Sequence, residues 1–296
     1  MEETALKNPV INGWYADPES RVYGNTVYMY VTNSLPFKEQ QNLDLVITQD
    51  LESFEVIRDI LDMSTYKDIW GAVWAPTIID KDGKYYLIFA ANNIQAEEEI
   101  GGLYIGVSDD PRGPFKNVFS DGRPLLNAIY NRAQPIDANL FKDDDGSIYL
   151  YYGGWHHLMV CKINDTMDGF EPIPDAQFDG IAKEITPAGY VEAPHVMKID
   201  GRYHLMYSTG SWTNGTYRVK VAVSDDPLGN FEYYDDILKA DELAEGPGHN
   251  SAFCRDGQWY VAYHRRTIGD TCPHHRMLCI DRLDIKDSRL QPVKMT

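Results

Sequence analysis

The chain has 296 residues, of which 43% are hydrophobic and 12% aromatic, and this composition indicates a large folded core rather than disorder. Its 45 acidic residues outnumber the 27 basic residues and give a net charge of −18, which argues against binding to nucleic acid phosphates and leaves neutral partners such as sugars. The sequence has no run of about 18 or more apolar residues, so we predict no membrane-spanning helix.

The four cysteines give no sign of a disulfide framework. They form no C-x-x-C pair and no dense secreted pattern, so free buried thiols are expected at Cys161, Cys254, Cys272 and Cys279. A zinc site built from Cys272, His274, His275 and Cys279 is the less favoured alternative, because this spacing matches no common zinc site.

A short segment recurs five times along the chain. The copies are GNTVYMY from Gly24, GKYYLIF from Gly83, GSIYLYY from Gly146, GRYHLMY from Gly201 and GQWYVAY from Gly257. Four of the five glycines follow Asp, and Asp-Gly before an alternating aromatic and aliphatic run is typical of a β-hairpin. The residue six positions after each glycine is always aromatic, so the same strand face repeats.

The spacing of these hairpins indicates the fold. The glycines lie 55 to 63 residues apart, and later phrases such as VSDDPRGPF and VSDDPLGNF supply at least one further strand per unit. This is the size of a four-stranded propeller blade, so we predict an all-β fold, a single-domain five-bladed β-propeller. The predicted hairpin repeats cover about 17–57, 74–115, 137–173, 192–233 and 249–293. ADELAEG, at 240–246, is the one convincing helix start.

Each hairpin is preceded by a phrase in the same place. The phrases ADPES, WAPTI, DANLF, EAPHV and HNSAF begin with or contain the lead residues Asp17, Trp74, Asp137, Glu192 and His249. In a propeller the first strand of each blade lines the central channel, so these side chains are expected to meet at one mouth of it. Crowded carboxylates raise at least one pKa, which is the condition that a general acid needs at neutral pH.

Three acids beside an aromatic surface suggest glycoside hydrolysis. One protonated carboxyl would protonate the leaving oxygen. One ionised carboxylate would activate a water molecule or attack the sugar directly, and a third acid would keep the first one protonated. Taken alone, Asp17 before Pro reads as a turn residue, and Asp137 and Glu192 read as strand-end caps. Their equivalent places in three repeats favour catalysis.

At this point the sequence resembles glycoside hydrolase family 43, whose members are five-bladed propellers. The resemblance runs from WYADPES through WAPTI, QPIDANLFKDDDG and YVEAPHVMKIDGRYHLMYS to GPGHNSAF and YHRR. It implies an inverting mechanism with Asp17 as general base, Glu192 as general acid and Asp137 as the residue that tunes the pKa and orientation of Glu192. Inversion requires the base and acid carboxyls to stand about 6.5 to 9.5 Å apart.

The resemblance also implies substrate contacts around the acids. Trp74 matches an aromatic that lines the terminal-sugar pocket, with a plain core role as the alternative. His249 matches a position at the channel axis beside a calcium ion or a water, and a satisfied buried histidine is the alternative. Arg266 resembles an arginine that faces the pocket, and Arg265 competes with it because the double Arg of YHRR replaces the more usual Ala-Arg. Trp155, His156, His157 and Trp212 follow hairpins and are further candidates for the pocket wall.

The expected function is exo-acting removal of α-L-arabinofuranosyl or β-D-xylosyl units from arabinan or xylan fragments. An endo-acting arabinanase or xylanase is the first alternative, because loop shape decides between a pocket and a groove. A glycoside phosphorylase would need basic residues at the mouth, for which Arg265, Arg266 and Arg276 are the late candidates. The presence of three acids argues against a non-catalytic sugar-binding propeller.

The remaining expectations concern cofactors, partners and compartment. No cofactor is expected to be required, apart from the structural calcium that the resemblance implies at the channel axis. The expected partner is an oligosaccharide or polysaccharide, with no nucleic acid and no membrane, and the protein is expected to be a monomer. The first residues, MEETALKNPV, lack the zones of a signal peptide, which fits either a native cytoplasmic start or the engineered start of an exported domain.

Overall fold

Five antiparallel sheets follow one another along the chain in the computed structural model, which describes residues 6–296. Blade one comprises β1 (Tyr15–Tyr23), β2 (Thr26–Asn33), β3 (Leu43–Thr48) and β4 (Glu55–Ile57). Blade two comprises β5 (Trp74–Lys81), β6 (Lys84–Ala91), β7 (Gly102–Ser108) and β8 (Lys116–Asn117). Blade three comprises β9 (Asn139–Lys142), β10 (Ile148–Tyr152), β11 (Met159–Ile163), β12 (Phe170–Glu171) and β13 (Ala182–Glu184).

The last two blades complete the fold. Blade four comprises β14 (Glu192–Ile199), β15 (Arg202–Thr209), β16 (Arg218–Ser224) and β17 (Glu232–Leu238). Blade five comprises β18 (Glu245–Arg255), β19 (Gln258–Arg266) and β20 (Met277–Arg282), and a separate hairpin follows with β21 (Ile285–Lys286) and β22 (Arg289–Leu290). Short 3₁₀ turns lie at Phe37–Glu39, Met63–Thr65 and Tyr130–Arg132. Within each blade the strands pair in chain order, except that β12 and β13 both pair with β11.

The five sheets close into a ring. The first strands contact one another in the order β1, β5, β9, β14 and β18, and β18 returns to β1. Residues near the start of the chain lie along the outer side of β20. Val10 N–H donates to the Leu278 carbonyl (3.0 Å), and the Asn8 amide donates to the Ile280 carbonyl (2.8 Å) and accepts from the Ile280 N–H (2.9 Å). The Asn8 amide also donates to the Thr296 hydroxyl (3.1 Å), so the two ends of the described chain meet beside the outer strand of blade five. The predicted five-bladed propeller is confirmed.

The Asp-Gly hairpins form as the sequence indicates. In three of them the two strands are separated by Asp-Gly alone, and both turn residues have positive φ angles: Asp82–Gly83, Asp200–Gly201 and Asp256–Gly257. Two consecutive positive φ angles define the type I′ turn, whose twist matches that of the flanking strands. The repeated Asp-Gly pairs are thus explained by turn geometry.

The apolar core lies between the blades and not at the ring axis. Five separate clusters of buried residues each join two neighbouring blades. The aromatic residues six positions after the repeated glycines are fully buried in these clusters: Tyr30, Phe89, Tyr152, Tyr207 and Tyr263. Because hydrophobic burial is complete between the blades, the axis of the ring is free to carry polar side chains.

The predicted helix at ADELAEG is wrong. The Asp241 carboxylate accepts from the N–H groups of Leu243 (2.7 Å) and Ala244 (3.2 Å), and β18 begins directly afterwards at Glu245. The acidic residue therefore stabilises a turn, as Asp does in many loops, and not a helix start. Residues 6–296 contain no α-helix, and hence no helix of the length and hydrophobicity that crossing a membrane requires.

Candidate active site

A cavity of about 240 Å³ opens at the mouth of the central channel. All five residues that lead the repeated phrases line it, namely Asp17, Trp74, Asp137, Glu192 and His249. Seven further residues complete the lining, namely Phe37, Asn93, Gln134, Ile136, Trp155, Trp212 and Arg276. Each blade thus contributes its lead side chain to one shared space, and three carboxyl groups meet there.

A β-bulge with a positive φ angle recurs at the start of the first strands and directs these side chains into the cavity. Three lead residues have positive φ angles, namely Asp17 (53°), Asp137 (54°) and His249 (44°). In the other two blades the following residue does, namely Ala75 (47°) and Ala193 (59°). The pairing register breaks at the same place in four blades. A bulge of this kind re-aims a side chain, and positive φ angles at residues other than glycine are uncommon outside such sites.

Asp17 is a buried carboxylate surrounded by positively charged and hydrogen-bonding groups. Arg276 Nη1 lies 2.9 Å from its Oδ1, and the Nδ1 atoms of His249 and His264 lie 3.3 and 3.4 Å from the same oxygen. Burial alone would raise the pKa of Asp17, but the Arg276 guanidinium, with help from His249, outweighs burial and holds this pKa well below its usual range. The ionised form of Asp17 is therefore favoured, as the role of general base requires.

Asp137 and Glu192 form a second carboxyl group pair with the opposite behaviour. Desolvation raises the pKa of Asp137 well above its usual value, and the neighbouring charges of Glu192 and Asp17 raise it further. Desolvation also raises the pKa of Glu192, although the Tyr217 hydroxyl, which donates to Glu192 Oε1 at 2.7 Å, opposes the shift. The two carboxyls titrate together, and the pair retains a proton at a pH where Asp17 has lost its own.

Aromatic side chains form two walls of the cavity. On one side Phe37 packs edge-on against Trp74 with ring centroids 4.8 Å apart, and the Trp74 indole N–H donates to the Gln40 side chain. Trp212 lies on the same side, with the Arg276 guanidinium 5.1 Å from its ring centroid. Trp155 lines the cavity with 36% of its surface exposed. Aromatic faces of this kind provide apolar surfaces on which sugar rings pack.

The arginine that lines the cavity is Arg276, and the prediction of Arg266 is wrong. Arg266 is fully buried and donates to the Asp270 carbonyl, and Arg265 donates to the Thr296 carbonyl at 2.9 Å. Neither lines the cavity, whereas Arg276 does. Arg266 and Arg276 both lie near the channel mouth, because β19 ends with Arg266 and β20 begins just after Arg276. The sequence alone does not show which of these side chains turns inward.

Two of the four other residues predicted for the pocket wall line the cavity and two do not. Trp155 and Trp212 line the cavity, but His156 and His157 do not. His156 Nδ1 lies 3.2 Å from the Tyr190 carbonyl, and His157 Nδ1 lies 2.8 Å from the Glu184 carboxylate. Both imidazoles thus hold the loop and leave the indole of Trp155 to face the cavity.

The described residues do not assemble a protein-only metal site. Among residues 6–296 no group of three or more His, Cys, Asp or Glu side chains is placed to hold a metal ion. Cys279 lies fully buried within β20, and His275 pairs with Asp270 at 2.7 Å, so the alternative zinc site does not form. All four cysteines are free thiols as expected, but only Cys161 and Cys279 are buried, whereas Cys272 is partly exposed and Cys254 is exposed. His249 Nδ1 lies 3.3 Å from Asp17 Oδ1 and 3.6 Å from Asp137 Oδ2, and the calcium ion that the resemblance implies beside this histidine stays a prediction.

Comparison with known proteins places this site in a family. The model of glycosyl hydrolases family 43 matches residues 6–289. The β-D-galactofuranosidase xynD of Aspergillus niger is 35% identical over 313 aligned residues, which cover 99% of this chain and 86% of that protein. Xylosidase/arabinosidase 43A of Humicola insolens is 27% identical, over 93% of this chain and 95% of that one.

A solved structure supports the fold. A β-xylosidase/α-arabinofuranosidase from a compost microbial metagenome, crystallised in complex with xylotriose, superposes with a TM-score of 0.79 at 23% identity, over 99% of this chain and 97% of the other. Its ring of blades matches the one described above. Since the family model covers nearly the whole chain and its relatives are glycoside hydrolases, this protein belongs to glycosyl hydrolases family 43 and is a glycosidase.

Proposed function

We propose that this protein is an inverting, exo-acting glycosidase that removes a terminal α-L-arabinofuranosyl unit, or secondarily a β-D-xylosyl unit, from arabinan or xylan fragments. The observation that carries the proposal is the contrast between the three carboxyls in the cavity. Asp17 has a depressed pKa, whereas the Asp137–Glu192 pair has raised pKa values. A pair of environments that push carboxyl pKa values apart is what separates a base from an acid.

In the proposed reaction Asp17 and Glu192 act on opposite sides of the sugar. The Asp17 carboxylate takes a proton from a water molecule, and the water oxygen attacks the anomeric carbon. Glu192 gives its proton to the glycosidic oxygen as the bond to the leaving group breaks. Asp137 titrates together with Glu192, so the pair keeps a proton for the leaving oxygen while Asp17 is ionised. The Arg276 guanidinium keeps Asp17 ionised at 2.9 Å.

The size of the cavity supports exo action. At about 240 Å³ it is smaller than the roughly 300 to 1,000 Å³ of sites that enclose drug-sized ligands, so it suits one sugar unit and not a chain. Trp74, Phe37 and Trp212 form its apolar side. The exposed part of Trp155 provides a surface for the next sugar, the one that leaves. An endo-acting enzyme would need a groove open at both ends.

A furanose in this cavity is favoured by stereochemistry. The relative that is 35% identical to this chain is named a β-D-galactofuranosidase. The ring carbons of β-D-galactofuranose and α-L-arabinofuranose have the same configuration, and the two sugars differ only in the exocyclic chain. We therefore place the arabinofuranoside before the xyloside as a substrate, and the β-D-galactofuranoside is a further candidate.

The other classes of function have less support. Among the described residues that line the cavity, Arg276 is the one Lys or Arg, and its charge is already paired with Asp17. A phosphorylase would need more positive charge for inorganic phosphate. A binding protein would have no use for three desolvated carboxyls, which are costly to bury.

The test is hydrolysis of the 4-nitrophenyl α-L-arabinofuranoside, β-D-xyloside and β-D-galactofuranoside, with the anomer of the released sugar followed by proton NMR. We expect release of arabinose with inverted configuration at the highest kcat/KM. Release with retained configuration would refute the role of Asp17. No release from any of the three, measured beside phosphate-dependent cleavage and binding of arabinan oligosaccharides, would refute the exo-glycosidase.

A further inference from the structure

Two buried rings that do not line the cavity connect the proposed acid to the proposed base. The Tyr217 hydroxyl donates to Glu192 Oε1 at 2.7 Å. The Tyr217 ring stacks on His264 with centroids 5.7 Å apart and an angle of 9° between the planes. His264 Nδ1 lies 3.3 Å from the Asp17 N–H and accepts from it. A continuous path of contacts thus runs from Glu192 through both rings to Asp17.

The two rings are held tightly in place. Tyr217 is 1% exposed and His264 is not exposed at all. A Cβ atom added at Gly248 would lie 2.3 Å from the Tyr217 ring, so the absence of a side chain there makes room for the stack. Gly248 pairs with His264 in the sheet, so β18 and β19 together provide the histidine ring and the space that the Tyr217 ring occupies. Close-packed rings of this kind transmit position and do not yield easily.

The hydrogen bonds around Tyr217 run in one direction. Ser208 Oγ accepts from the His249 N–H at 3.0 Å, which leaves the Ser208 proton for the Tyr217 hydroxyl oxygen. The Tyr217 proton is then directed to Glu192 Oε1. Burial, together with the charges of Glu192 and Asp137, raises the pKa of Tyr217 well above its usual value, so the phenol keeps this proton. Oε1 is therefore always an acceptor, and the acidic proton of Glu192 is confined to Oε2.

We propose that Tyr217 and His264 are positioning residues that act as a spacer: they set the separation between the acid and the base and direct the acidic proton of Glu192 to the leaving oxygen. This inference rests on the proposed function of Glu192 and Asp17. An inverting enzyme needs a fixed separation so that one water fits beside the sugar. Small displacements of catalytic groups cost large factors in rate, so a rigid spacer has a clear use.

The test compares leaving groups in the Tyr217→Phe variant. We expect kcat/KM for an arabinobioside, whose leaving sugar needs full protonation, to fall about 30-fold, and kcat/KM for a 2,4-dinitrophenyl arabinofuranoside to fall less than about threefold. The alkaline limb of the pH profile should move to higher pH, because the lost hydrogen bond stabilised ionised Glu192. The titratable and charged groups that face Glu192 are Asp17, Asp137, Tyr190, Tyr217 and Arg276.

Two further variants separate positioning from folding. Tyr151→Phe is the matched control, because it removes a hydroxyl that is equally buried but donates to the Pro227 carbonyl; it should leave the ratio between the two substrates unchanged. Gly248→Ala keeps the Tyr217 hydroxyl but displaces its ring, so it should reproduce the Tyr217→Phe pattern. It also tests the spacer if Tyr217→Phe does not fold.

His264→Phe tests the base side. It retains a ring for stacking but removes the acceptor for the Asp17 N–H, so we expect both substrates to lose kcat/KM by a similar factor. Wild-type turnover, measured in the same series, tests the proposed function separately. In an active enzyme, an unchanged substrate ratio and an unmoved alkaline limb in Tyr217→Phe and Gly248→Ala would overturn the spacer and leave the glycosidase in place.

Discussion

Replacing Trp155 by Ala should weaken contact with the leaving sugar and leave the terminal-sugar pocket intact. The loop that carries Trp155 is fastened close to the acid, because the His156 N–H donates to the Val191 carbonyl (3.1 Å) and the Tyr190 hydroxyl donates to the Gly153 carbonyl (2.6 Å). Trp155 and His156 both have positive φ angles, 54° and 71°. Strain of this kind persists where the surrounding structure holds it, often at functional sites.

The magnitude follows from the exposed area. A tryptophan side chain offers at most roughly 250 Å² of contact area, so the 36% of Trp155 that is exposed corresponds to about 90 Å². Covering all of it at about 25 cal/mol per Å² would contribute about 2 kcal/mol. A sugar covers one face, so we expect a loss of about 1 kcal/mol, which is about a fivefold decrease in kcat/KM for an arabinobioside.

The assay compares two ligands that differ in their reach. Trp155→Ala should raise KM for the arabinobioside, whereas the inhibition constant of free arabinose, which occupies the terminal-sugar pocket alone, should stay the same. Trp70→Ala is the matched control, because Trp70 is 48% exposed and does not line the cavity. Equal weakening of arabinose and arabinobioside, or an equal effect of Trp70→Ala, would refute the assignment of Trp155 to the leaving sugar.

Three further outcomes follow from the carboxyl environments. Glu192→Gln should lower kcat for natural glycosides by about 10²- to 10⁴-fold, and steady-state kinetics that show no loss would exclude it as the acid. Arg276→Met should raise the pKa of Asp17, so the acid limb of the kcat/KM profile should move to higher pH; an unmoved limb would contradict the ion pair. The Asp137–Glu192 pair has raised pKa values, so the folded state binds more protons than the unfolded state and the free energy of unfolding falls as the pH rises toward the raised values. Glu192→Gln should therefore raise the melting temperature at pH 8 more than at pH 5, and calorimetry that shows equal shifts would argue against the raised pKa.

The repeat made much of the fold and the site predictable. Asp17, Asp137 and Glu192 could be singled out because each occupies the same place in a hairpin unit, and the units have the length of blades. Equivalence between repeats carries three-dimensional information, since it says which residues meet at the ring axis. The hairpin turns at Asp-Gly could also be predicted from the sequence, because backbone sterics favour these residues in type I′ turns.

The errors lie where no repeat helps. Arg266 and Arg276 both lie at the mouth end of blade five, and the direction of each side chain depends on packing between strands that the sequence does not encode locally. ADELAEG has helix-forming composition, but Asp241 satisfies the backbone N–H groups of a turn. Tyr217 lies two residues after the Asn-Gly pair at 214–215 and belongs to no repeated motif, so its contact with Glu192 is visible only in the folded structure.

The junction of the chain ends divides the catalytic apparatus into two unequal halves. The acid half, with Glu192 and Tyr217 on blade four, lies within one uninterrupted stretch of chain. The base half is different, because Asp17 belongs to blade one and its partner Arg276 to blade five, on either side of the seam that Asn8 closes against β20. Opening of that seam would part Asp17 from both Arg276 and His264 of blade five, and His264 reaches Glu192 through the Tyr217 ring. The base therefore depends on that contact through two partners, whereas the hydrogen bond between Tyr217 and Glu192 lies within blade four.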